Sequence, residues 1–486
     1  MFRVLSVLVL LVPTLQAEPL SFQLRFPEAV RREAFSGRAY VMLFKGDAPT
    51  LRSGVNWFNP EPLFAVEVRN VKPGEAIVLD AKSLHHPVAM NKLPRGTYTI
   101  QAVIDTAPGV ASFSTAPGNL YAIRKQELHA DAGPVSLLLD KVYREPAFVE
   151  TPRVKLLDIE SKLLSGFYNR PTRLRAGVML PASYASEPRR RYPVVYEIPG
   201  FGGRHTAAQD PRRLTQTDRA GVEVIHVILD PTCHHGHHVF ADSANNGPCG
   251  QALVRELIPE LEKRFRTQGK GARLVTGHSS GGWSSLWLQI TYPDVFDGCW
   301  STAPDPVDFR SFQYMNLYRE GENFYTDPKG NLRPLARVNG KVRLTFRPFV
   351  QMETVMGHGG QLASFEAVFS ERGPDGQPRR LWDRETGVID TAVARSWEKY
   401  DICLVLKRNW KTLGPLLKGK LHVYMGEEDT FYLEGATKLL RDELKALGSD
   451  AKVELFPGKD HSNLLDTALR GRIAREMAQR LRAAKR

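Results

Sequence analysis

Apolar residues recur with two different periods along this chain. From about residue 18 to 148 the period is two. In Ser21-Phe22-Gln23-Leu24-Arg25-Phe26 and in Thr97 to Val103, alternate residues are apolar, the pattern of half-buried strands. Further β-type runs cover Ala39 to Phe44, Phe64 to Val68 and Pro134 to Leu139, with turn residues such as Lys45-Gly46-Asp47, Lys72-Pro73-Gly74 and Pro94-Arg95-Gly96 between them. Short strands at this spacing predict an all-β domain over 18–148, an immunoglobulin-like sandwich. It carries no catalytic cluster, so its expected role is packing or glycan binding.

Residues 141–152 lack periodicity, contain two prolines and predict a linker. From 149 onward strands and helices alternate, which predicts a doubly wound α/β sheet. Val154 to Leu164, Arg173 to Leu180, Pro193 to Ile198 and Val222 to Leu229 read as strands. Pro248 suits the first turn of a helix reaching about Phe265, with Leu253, Leu257, Ile258 and Leu261 on its apolar face. A strand ending at Thr276, a helix from Trp283 and a strand over Phe296 to Ser301 follow. The alternation then breaks. Residues 304–415, rich in Arg, Gly, Pro and aromatics, are too long for a plain loop and predict an inserted cap. It resumes with a strand over Gly419 to Met425, a helix over Leu433 to Leu447, a strand over Lys452 to Phe456, and a final helix from Ser462.

Composition narrows the class. With 486 residues, 42% of them hydrophobic, the chain can fill two or three cores, and wholesale disorder is excluded. One basic residue and a short apolar run before Ala17 read as a signal peptide over 1–17, which predicts a secreted or periplasmic protein. No later apolar stretch is long enough to span a bilayer. Four cysteines exclude a dense disulfide scaffold; Cys233 and Cys249 flank one loop and could pair. The net charge of +13 favours acidic glycans or membrane surfaces, and solubility alone explains it as well. No nucleic-acid motif is present, and no nucleic-acid partner is expected.

The candidate chemistry centres on Leu274 to Gly282. Gly277-His278-Ser279-Ser280-Gly281 fits G-x-S-x-G between a β-type run and a helix start. In such a turn the glycines allow close packing, Ser279 is the exposed nucleophile, and the N–H of Ser280 faces the nascent oxyanion. A serine hydroxyl needs a base, and the base an orienting acid, in the chain order Ser, acid, His. His461, in the short loop after Lys452 to Phe456, is the predicted base. The acid belongs in Gly426-Glu427-Glu428-Asp429-Thr430; Asp429 is preferred, with Glu427 and Glu428 open. The second oxyanion donor is expected from Phe201 or Gly202 in Pro199-Gly200-Phe201-Gly202-Gly203. Cys233-His234-His235-Gly236-His237-His238 contains zinc-type ligands, but side chains so close in sequence cannot all converge on one ion, and no metal is expected.

The elbow segment, with Tyr192-Pro193-Val194-Val195-Tyr196 ahead of the glycine loop, resembles the putative esterase family of α/β-hydrolases, which includes S-formylglutathione hydrolase (esterase D), feruloyl and acetylxylan esterases, enterochelin esterase and mycolyltransferases. Asn246-Gly247-Pro248, Leu257-Ile258-Pro259 and Arg264-Phe265-Arg266 are also similar to that family. The resemblance covers about 150–302 and 419–465. It implies a cofactor-free ester hydrolase with Ser279, Asp429 and His461 at the triad positions. The expected activity is that of a secreted serine carboxylesterase acting on acyl or feruloyl groups of a polysaccharide. A siderophore esterase, an acyltransferase and an inactive binding protein are the alternatives.

Overall fold

The structure is a computed structural model that describes residues 18–107 and 109–483. The signal-peptide reading of 1–17 lies outside the described residues. The chain divides into two compact units. One runs to Ala107 and takes in Ser114–Arg144; the other comprises Pro108–Phe113 and Glu145–Arg486.

The described part of the first unit holds a six-stranded and a three-stranded sheet. Strands Phe35–Lys45, Leu63–Val71, Gly96–Ile104 and Leu120–Leu128 lie in the larger sheet; Ser21–Arg25, Ile77–Leu79 and Pro134–Leu138 form the smaller. Phe22 and Leu24 from one sheet and Val41, Leu43, Ile100 and Ala102 from the other fill a single core. The alternating apolar positions are the ones that meet there, each side chain larger than alanine contributing about 1.5–3 kcal/mol by burial. Strand Leu120–Leu128 was not expected. Its Arg124-Lys125-Gln126-Glu127 stretch carries no alternation because those side chains are largely exposed.

The second unit is built on an eight-stranded sheet. In spatial order its strands are Val154–Glu160, Arg173–Met179, Ile225–Leu229, Val194–Ile198, Arg273–His278, Cys299–Thr302, Leu421–Gly426 and Lys452–Phe456. Strand Arg173–Met179 is antiparallel to both neighbours, and the strands from Ile225–Leu229 onward are mutually parallel. This doubly wound α/β architecture is that of an α/β-hydrolase. Several boundaries differ from the sequence expectation by a few residues, among them the strand expected from Phe296, which starts at Cys299, and two others have a visible cause. The first predicted strand ends at Glu160, because the Ser161 hydroxyl accepts the N–H of Leu164 and starts helix Lys162–Tyr168. The final helix begins at Thr467, not Ser462. The Asp460 carboxylate accepts the N–H groups of Ser462 and Asn463 in a local turn, and Asp466 accepts that of Leu469 at the helix start.

Residues 304–415 do have structure of their own. They hold the hairpin Pro334–Val338 with Lys341–Thr345 and helices Phe346–Met356, Gln361–Phe369, Thr391–Ser396 and Ile402–Leu417. The last of these leads into strand Leu421–Gly426, parallel to Cys299–Thr302, so it completes the crossover that parallel pairing requires.

Candidate active site

Five loops leave the carboxyl ends of adjacent parallel strands, the edge where open α/β sheets bind ligands. They carry Gly200, Ser279, Asp305, Asp429 and His461. Strand Arg273–His278 passes into helix Ser280–Thr291 through Ser279 alone, with φ 60° and ψ −126°. A non-glycine residue there costs about 1–3 kcal/mol, and such strain persists only where the surroundings enforce it. They do so here. A side chain on Gly281 would overlap the carbonyl of Ile198, and one on Gly277 the carbonyl of Gly281. The turn therefore closes only with glycine at both positions.

His461 and Asp429 meet directly: Nδ1–H donates to Asp429 Oδ2 at 2.7 Å. Asp429 is fully buried, and its other oxygen accepts the N–H of Phe431. Glu427 and Glu428 are exposed and do not reach the imidazole. Burial works against a charged His461, but the charge and hydrogen bond of Asp429, then the charges of Asp305 and Asp460, lift it above its ordinary 6.5. His278 sits with its ring 4.6 Å from that of His461, which brings the imidazole beside the elbow. Burial, reinforced by repulsion from His461, holds His278 down at about 3, so it stays neutral. Ser279 Oγ has no hydrogen bond to His461 here; in unliganded hydrolases this contact is often long and tightens with substrate.

The glycine loop lies against the serine. A Cβ on Gly200 would be 3.2 Å from Ser279 Cβ and 3.8 Å from Oγ. Gly203 N–H donates to the Gly200 carbonyl at 2.9 Å, and Gly202 has φ 78°, which closes a tight turn. The turn's own hydrogen bond thus uses the N–H of Gly203 rather than that of Phe201 or Gly202. His237 supports the loop by donating Nε2–H to the Pro199 carbonyl at 2.9 Å.

Three participants were not anticipated from sequence. Asp305 is buried; its Oδ2 accepts the Ser280 hydroxyl at 2.6 Å, and its N–H donates to the Ser279 carbonyl at 3.3 Å. Burial raises it to about 6, against the Ser280 hydrogen bond and the charge of His461. Gln361, the first residue of its helix, donates Nε2–H to Asp305 at 3.4 Å. Arg337 donates to the Asp429 carbonyl at 3.0 Å and to Glu434 at 2.8 Å. Gln361 and Arg337 lie in the 304–415 segment, which therefore braces both the elbow and the acid loop. Asp305 had a usable signal, a carboxylate three residues past a strand end in Pro304-Asp305-Pro306. Gln361 and Arg337 had none.

The remaining candidates disperse. His234 stacks on His358 with centroids 4.5 Å apart, and His238 turns Nδ1 to the Phe240 N–H. His422, a histidine inside the late strand Leu421–Gly426, packs flat on Trp300. All four cysteines are free thiols. Among the described residues no helix is long and apolar enough to cross a membrane.

Sequence comparison supplies the family. The family model described as Putative esterase matches residues 169–479, well over half of the chain and the whole span of the site. The chain belongs to the putative esterase family. The match supports ester hydrolysis as the activity here. No curated protein matches in sequence. Among solved structures, a ferulic acid esterase aligns at 13% identity over 67% of this chain and 98% of its own, with a TM-score of 0.41. An S-formylglutathione hydrolase from Agrobacterium tumefaciens aligns at 15% identity over 68% and 95%, with a TM-score of 0.41. The ferulic acid esterase of Anaeromyces mucronatus aligns at 15% over 71% and 95%, with a TM-score of 0.35.

Proposed function

We propose that this esterase is a serine carboxylesterase with Ser279 as nucleophile, His461 as base and Asp429 as orienting acid. The observation that carries the reading is the strained Ser279 at φ 60°, whose neighbour His278 packs its ring on the His461 of a buried Asp429–His461 pair. With Nδ1–H committed to Asp429, Nε2 is left to accept the Ser279 proton. The serine oxygen then attacks the ester carbonyl. The N–H of Ser280, with that of Phe201 or Gly202, stabilises the oxyanion. The tetrahedral adduct collapses to an acyl-enzyme, and His461 returns the proton to the leaving alcohol. Water deprotonated by His461 releases the acid. No step calls for a cofactor.

The proposed substrate is an acyl or feruloyl ester on a polysaccharide. That fits a secreted or periplasmic basic protein, with the first unit as an immunoglobulin-like accessory domain and the 304–415 segment as a cap. Hydrolysis of a short p-nitrophenyl ester by the wild type and by Ser279→Ala is the decisive experiment, with circular dichroism as the folding control. A loss of about 10⁴-fold or more in kcat is expected. Full activity in the variant would remove Ser279 from the mechanism. Feruloyl- and acetyl-glycan esters then separate the substrate classes.

A further inference from the structure

The carboxyl edge of the same sheet also holds a cavity of about 390 Å³ that neither Ser279 nor His461 lines. Its walls include Tyr168, Arg173, Arg175, Arg204, Asp230 and Asn246. The topology explains why arginines gather there. Strand Arg173–Met179 runs antiparallel to Ile225–Leu229, so its first residues emerge where Asp230 leaves the neighbouring strand; the Asp230 N–H donates to the Arg175 carbonyl at 3.1 Å. From the elbow strand this is three strand steps of about 4.8 Å, roughly 14 Å in all.

The guanidinium groups are not equally engaged. Arg173 donates Nε–H to Asp158 at 2.7 Å. Arg204 donates to Glu145, and its buried Nε pairs with Asp230 at 3.5 Å without making a hydrogen bond. Arg175 lies 3.4 Å from Asp158 and 3.9 Å from Glu145, beyond good hydrogen-bond length, and its fork makes no hydrogen bond among the described residues. Its side chain is 36% exposed. Asp230, the one carboxylate in the wall, is already taken by His205, the Thr232 hydroxyl and Arg204. The wall therefore offers the Arg175 fork, which makes ion-pair contacts but no hydrogen bond, beside Arg204, and no unengaged acceptor charge. Carboxylate and phosphate are the groups that match such a fork with two parallel hydrogen bonds.

We infer that this cavity is a subsite for an acidic substituent of the substrate, a carboxylate or phosphate seated on Arg175 and Arg204. Naming the ligand a part of the substrate rests on the esterase reading; the binding itself does not. The separation from the elbow means that the acidic group lies well along an extended substrate rather than next to the scissile ester.

Isothermal titration calorimetry on the wild-type full chain with D-glucuronate, glucose 6-phosphate and D-glucose tests this without turnover. At least one acidic sugar is expected to bind about tenfold or more tightly than glucose, the size of one charge-assisted contact, and to weaken with added salt. Glucuronate alone identifies a carboxylate; glucose 6-phosphate alone identifies a phosphate. Arg175→Gln should weaken that binding about tenfold, with Arg175→Lys, which keeps the charge without the fork, in between. The melting transition of each variant serves as the folding control. Equal binding of acidic and neutral sugars, or no change in either folded variant, overturns the inference. Acidic-sugar binding in a protein inactive on every ester keeps the anion site and removes the esterase reading.

Discussion

Two of the buried histidines in this molecule sit beside a carboxylate at almost the same distance, and they differ in what surrounds the second ring nitrogen. His461 Nδ1 meets Asp429 at 2.7 Å; His226 Nε2 meets Glu197 at 2.8 Å. The second nitrogen makes the difference. His226 Nδ1 accepts from Arg219 at 2.9 Å, so both edges of the ring are occupied. Burial, with the Arg219 charge adding to it and the Glu197 hydrogen bond opposing, pushes His226 below its ordinary value. His461 has no such cation, its Nε2 has no hydrogen bond among the described residues, and carboxylates around it raise its affinity for a proton. A carboxylate–imidazole pair is thus no evidence of catalysis by itself. What counts is whether the other nitrogen is left able to take up a proton.

The same substitution at the two pairs tests this most strongly. His461→Gln should lower kcat/KM about 10⁴-fold with little loss of stability. His226→Gln should keep kcat/KM within about twofold in p-nitrophenyl ester assays while costing about 3 kcal/mol in denaturant melts, since it disturbs a buried Glu197–His226–Arg219 chain. A selective loss of turnover in His226→Gln would break the distinction. Asp429→Asn comes next, with an expected fall of about 10³–10⁴ in kcat as the imidazole loses its tautomer and its counter-charge.

The pH profile sharpens the contrast further. His461 must be neutral to accept a proton, and its pKa is raised, so kcat/KM should fall with acid through a midpoint above 6.5. Asp429, Asp305, Asp460 and His278 all face this group. Asp305→Asn removes one of the charges that hold the proton on His461 and should move that midpoint to lower pH. An unmoved midpoint would leave Asp305 a structural role only. Stability answers the two histidines with opposite signs. The raised His461 favours the folded state below its unfolded value, an effect lost as pH rises through the folded one. The lowered His226 costs stability as pH falls below about 6.5, because the unfolded chain takes up the proton first. Urea midpoints across this range should therefore fall less steeply with acid in His226→Gln than in the wild type. The smallest expected effect is that of Gln361→Ala, a few-fold change in kcat through a 3.4 Å hydrogen bond to Asp305.

Local pattern determined much of this protein. The period-two runs lie in strands because every second side chain there reaches a shared core. The buried strands of the α/β unit, the strand–turn–helix at Ser279 and the loops bearing Asp429 and His461 were legible for the same reason: turn chemistry and hydrophobic period act over a few residues. The strand Leu120–Leu128 was not, because its polar residues serve an exposed sheet face. The sequence preferred Asp429 over Glu427 and Glu428 without a physical difference between them; only the fold buries Asp429 against His461 and leaves the other two in water. The fold alone also set the bracing by Asp305, Gln361 and Arg337, the opposite states of two similar histidine pairs, and the gathering of Arg175 and Arg204 at one cavity. Each of these depends on groups far apart in sequence. Distance, burial and the charge of neighbours set their chemistry, and those quantities exist only once the chain has closed on itself.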